Sequence, residues 1–166
     1  MFTPIIILCL LTLPLVTAWL VKMVAKSKAP LAITRYACSG LGLCFIFFAI
    51  GHLVKTQGMI EMLPVWLPYR IVIIYATGLL ELAIALALFI PALQLRAAWL
   101  AIAVFIVFFP ANVYAALYGV GLGGHQWGAV YLLIRAPLQL ILIGWAYFVC
   151  IKKSSSLLNS NSAAAK

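Results

Sequence analysis

Acid is the scarcest component of this chain. Of its 166 residues two are acidic, Glu61 and Glu81, against 11 lysines and arginines, giving a formal charge of +9. Charged residues of either sign make up 8% and hydrophobic residues 67%, a balance that excludes an ordinary soluble domain and fits a multispanning membrane protein. Cysteine is also sparse. Cys9, Cys38, Cys44 and Cys150 lie in or at the ends of apolar runs with no C-x-x-C spacing, which points to neither a disulfide framework nor a zinc site. They are expected to pack as small apolar side chains. Also missing are a histidine pair across helices for haem, a cysteine couple and a nucleotide fingerprint, so no self-contained redox enzyme is legible. The excess positive charge falls mostly at the ends of apolar runs, where it sets topology and gives no reason to expect nucleic-acid binding.

What is present is a series of long apolar segments. Residues 4–21 are just long enough to cross a hydrocarbon core of about 30 Å. No Lys or Arg precedes this run, whereas Lys22, Lys26 and Lys28 follow it, the reverse of a signal peptide's charged n-region. A retained helix is therefore expected. A second span covers residues 36–53, with Ser39, Gly40, Gly42 and Gly51 allowing close helix approach and His52 and Lys55 at its end. Residues 56–70 are amphipathic and suit a segment lying at the membrane interface, over one end of the bundle. The third span is 71–90, the fourth 97–118 with Pro110 and Asn112, and the fifth 129–150 with Arg135 and Gln139. A Gly-rich loop, 119–128, separates the last two. The tail from residue 152 is low-complexity and expected to be disordered.

Counting basic residues by the positive-inside rule puts Lys22, Lys26, Lys28, Arg35, Arg96, Lys152, Lys153 and Lys166 on one side and Lys55 and Arg70 on the other. Five spans with the N-terminus outside and the C-terminus inside follow. Glu81 then sits at the middle of the third span. Charge at that depth costs roughly 2.5 to 3.5 kcal/mol on insertion scales and normally faces the bundle interior and a partner. Depth along each helix places Glu81 and Gln139 near the midplane, Arg135 and Asn112 in the outer half, and His52 near the outer surface. Because side chains lean toward the N-terminus of their own helix, all five can converge beneath residues 56–70.

Each has a plain structural alternative. Glu81 and Arg135 can pair simply to latch two helices. Asn112 can bond the carbonyl that Pro110 frees, and Gln139 can bond across helices. His52 can be an interfacial histidine or a proton carrier. His125, Gln126 and Trp127 read as interface anchors. The candidate ligand-binding set is His52, Glu81, Asn112, Arg135 and Gln139, because five polar groups in one half of so apolar a protein exceed what latching requires.

The ordered runs LGLCFIFFAIGHL (41–53), MLPVWLP (62–68), GLLELAIALALFIP (78–91), LRAAW (95–99), FPANVY (109–114) and RAPLQLILIGWAY (135–147) resemble the DoxX-like family of small membrane proteins. The resemblance covers about residues 32–150. It implies an all-α, four-helix transmembrane bundle over residues 31–151, preceded by an extra N-terminal helix and basic connector over 1–30 and followed by a polar tail over 152–166. The five polar residues stand at that family's polar positions. The family is functionally diverse, with members tied to sulfur-compound oxidation, quinone reduction and oxidative-stress enzymes. The implied function is a membrane accessory subunit of a respiratory or oxidative-stress redox system, in a bacterial inner membrane. It would have no intrinsic cofactor, would bind a quinone or similar lipophile in the polar pocket, and would act with a redox-enzyme partner. The alternative is a non-catalytic assembly factor or chaperone, its Gly40 and Gly42 face docking client membrane proteins and the Glu81 and Arg135 pair serving as scaffold. A transporter is a third reading, weakened by the single polar cluster and the lack of an inverted repeat.

Overall fold

The computed structural model describes residues 2–26, 30–121 and 125–152, without the side chains of residues 125, 126 and 129. The tail beyond residue 152, Lys28 and the side chains of His125 and Gln126 lie outside the described residues. All regular structure among those described is helical: α1 (Thr3–Val24), α2 (Ile33–Val54), α3 (Thr56–Glu61), α4 (Arg70–Phe89), α5 (Gln94–Tyr118) and α6 (Leu132–Trp145). A 3-10 turn, His125–Tyr131, leads into α6, and a π-helical turn, Ala146–Lys152, continues it. Five segments are long and apolar enough to cross a membrane, the last being Leu132–Lys152. This is the expected number. The fifth begins later than expected because Gly128, at φ +69, breaks the helical path inside residues 125–131.

In a bilayer every backbone polar group has to be satisfied within the protein, and long helices do that by themselves. Thr12 and Thr17 return their hydroxyls to the carbonyls of Leu8 and Leu13 at 2.9 Å, so α1 exposes no free donor there. Helix packing then depends on close approach. α2 is the central element, packed along α4 on one side and α1 on another. Gly42 lies against the Phe89 ring and the Ala85 carbonyl of α4, with a Cβ there reaching within 3.0 and 3.3 Å of them. Gly40 faces the backbone of Leu11 with no room for a Cβ at all. Both glycines are buried inside the molecule. The expectation that they form an exposed docking face is therefore corrected: the chain's own α1 and α4 occupy it.

The helix ahead of the bundle is part of the packed structure. Ile7 and Leu11 are each 1% exposed, and the Cys44 thiol of α2 bonds the Ile7 carbonyl at 3.4 Å. At the far end Trp145 Nε1 donates to the Ala37 carbonyl of α2 at 3.1 Å, and the Cys38 and Cys150 side chains meet beside it. All three bundle cysteines are buried and free, as expected of small apolar side chains, and Cys9 is exposed on α1.

Candidate functional site

Phe47, Phe48, Phe105 and Phe108 line a cavity among the helices. Phe45 packs on Phe48 at 5.8 Å and on Phe105 at 5.2 Å between ring centroids, tying α2 to α5 in edge-on and tilted contacts. The space measures about 770 Å³. That is large enough for a drug-sized molecule. Its walls come from α2, α4, α5 and α6, with Thr3 and Ile7 of α1 at one side and Met59, Met62 and Leu63 of α3 and the following turn at the end. Of residues 56–70, expected to cover one end of the bundle, Met59, Met62 and Leu63 border the cavity, while Val65, Trp66 and Tyr69 are exposed. Gly121, at φ +88, fits under Met62 and helps close that end.

His52, Glu81, Asn112, Arg135 and Gln139 all line this one cavity. Helical periodicity explains it: Arg135, Gln139 and Leu142 make one stripe on the last span, continued by Tyr131 just ahead of it, and Ile74, Thr77 and Glu81 another on α4. His52 does not lie at the surface. It is 7% exposed, and its Nδ1 meets the Ile74 carbonyl at 2.9 Å and Thr77 Oγ1 at 3.3 Å. The reason is that α4 rises past the end of α2, so the last turn of α2 faces the second and third turns of α4. Gly78 permits it, because a Cβ there would stand 2.7 Å from the His52 Cβ.

The direct partner of Glu81 is likewise not the one expected. Its Oε2 lies 3.2 Å from His52 Nε2, and Arg135 takes part in no ion pair among the described residues. Arg135 is near enough to Glu81 and Tyr131 for Coulombic interaction, while its Nε is buried with no hydrogen-bond partner. Oε2 and Nε2 are within ion-pair range but not aligned as a full hydrogen bond. Asn112 Nδ2 donates to the Phe108 carbonyl at 3.1 Å, not to the Ile106 carbonyl that Pro110 leaves free. Gln139 Nε2 donates across to the Phe105 carbonyl of α5, the inter-helix bond expected of it. Trp127 is 62% exposed, outside the cavity.

Thr77 and Tyr131 were not singled out from the sequence. Each stands four residues before a recognised polar residue, Glu81 or Arg135, and that spacing was the available signal. Thr77 Oγ1 donates to the Ile73 and Ile74 carbonyls at 2.9 and 3.0 Å, which leaves its lone pairs for His52. Thr77→Val is expected to cost about 0.5–1.5 kcal/mol, with His52 still held on Ile74. Thermal denaturation in detergent and the ring ¹⁵N shifts of His52 check this, and a freely turning imidazole would contradict it.

Among the described residues no three His, Cys, Asp or Glu side chains are grouped to hold a metal ion. The arrangement is that of a multi-helix membrane protein with an aromatic-walled, polar-rimmed cavity. Residues 41–150 match the model of a family described as a domain of unknown function (DUF8561), and the chain belongs to that family. No curated protein and no solved structure matches it.

Proposed function

We propose that this protein holds a lipophile with an oxygen-bearing head in the cavity, and that it serves as a membrane accessory subunit of a respiratory or oxidative-stress redox system. The observation that carries the reading is the convergence of five polar side chains from four helices on one otherwise apolar space of about 770 Å³. Latching alone does not call for a void of that size, since packed interiors close over spare volume. Arg135 supplies donors to a head-group oxygen, and His52 with Glu81 offers a place to hold or release a proton. The resemblance of the ordered motifs to the DoxX-like family favours a quinone among such lipophiles, a redox enzyme as partner, and a four-helix core set N-out and C-in in a bacterial inner membrane. The assembly-factor reading loses its proposed docking face, because Gly40 and Gly42 are covered from within.

Protein purified in mild detergent and examined by native mass spectrometry is expected to carry a lipophile of defined mass, recoverable by solvent extraction. Ala111 lines the cavity. Ala111→Trp is expected to obstruct it and to weaken or lose that mass while the protein stays folded. A clean, ligand-free wild type in several detergents would overturn the reading.

A further inference from the structure

Charge narrows the head group. The chain has two carboxylate side chains: Glu61, exposed on α3, and Glu81 in the cavity. Glu81 lies against His52, whose ring is held from its other side. The Ile74 carbonyl, 2.9 Å from Nδ1, can only accept, so Nδ1 carries a hydrogen. Nε2 faces Glu81 Oε2 at 3.2 Å, so the carboxylate lies against the ring.

Arg135 is cationic. Its Nε is buried with no hydrogen-bond partner and it takes part in no ion pair among the described residues, so the guanidinium has donors to offer inside an apolar wall. Such a charge in the membrane is costly and calls for a counter-charge. Asn112 and Gln139 use one amide hydrogen each, on Phe108 and Phe105, and keep a second for a ligand. Donors dominate this rim.

We infer that the cavity takes an amphiphile with a carboxylate head, its oxygens held by the Arg135 guanidinium and its hydrocarbon tail laid along Phe47, Phe48 and Phe105. The inference rests on the lipophile reading above and narrows it. A planar guanidinium matches a carboxylate in two parallel hydrogen bonds. The volume far exceeds a small free anion and suits one with a tail.

The test uses the full chain in nanodiscs of neutral phosphatidylcholine, with radiolabelled oleate as probe and oleyl alcohol and decylbenzoquinone as competitors. Oleate is expected to bind about tenfold or more tightly than the alcohol, as one charge-assisted contact implies. Arg135→Gln is expected to erase that preference, with oleate no longer bound more tightly than the alcohol. Wild type that takes the alcohol or the quinone as tightly as oleate overturns the acidic head and leaves the lipophile reading standing. Failure to bind any of the three overturns both. The wild-type comparison decides the matter even if the variant does not fold.

Discussion

Replacing Glu81 by alanine is expected to lower stability by about 1–3 kcal/mol, the cost of leaving a buried polar atom without its partner. The atom is His52 Nε2, held at 3.2 Å by the carboxylate and fixed in place because Nδ1 is bonded to Ile74. Glu81→Gln should be milder than the alanine variant, since an amide N–H can donate to the Nε2 lone pair. A double-mutant cycle on His52 and Glu81 should give a coupling of about 0.5–3 kcal/mol, and one on Arg135 and Glu81 distinctly less. Unfolding in mixed detergent micelles measures all of these. Equal damage from Gln and Ala, or stronger coupling to Arg135, would mean that the arginine is the true partner.

Gly40→Ala is expected to be among the most damaging small substitutions, costing about 1–3 kcal/mol through overpacking. The new methyl group meets the backbone of Leu11, which cannot swing aside as a side chain can. Gly40→Val should go further and part α1 from α2, taking the Thr3 and Ile7 wall off the cavity. Gly144 on α6 is the control. A Cβ there meets nothing within 4 Å, so Gly144→Ala should be neutral or stabilising by up to about 1 kcal/mol. Heat-induced loss of helical circular dichroism compares the three. Equal effects at Gly40 and Gly144 would show that α1 does not depend on this contact.

The spans were legible because a bilayer imposes length and hydropathy on each segment separately, and five apolar runs of the right length stand out in the sequence. The polar lining was legible for a related reason: in so apolar a chain His52, Glu81, Asn112, Arg135 and Gln139 are conspicuous, and periodicity puts them on inward stripes. Their pairing was not. Depth counted from the end of each helix assumes that the ends are level, yet α4 rises past the end of α2, and this carries His52 down to Gly78 and Glu81. Helix rotation and relative height depend on which glycine meets which neighbour, a property of two segments at once. Gly40 shows the same limit. A small residue declares that something will approach closely, without saying whether the visitor is another protein or the chain's own first helix.

The Ile74 carbonyl has a consequence of its own. It receives His52 Nδ1 and the Thr77 hydroxyl, and the α-helical pattern gives it the Gly78 N–H as well. The imidazole N–H, with a share of the Thr77 hydroxyl hydrogen, lengthens its C=O bond and shifts its infrared stretch from that of a carbonyl bonded only within the helix. Isotopic substitution at this one carbon would make the backbone itself report whether the imidazole is still bonded to it, with no dye, no tag and no change of side chain.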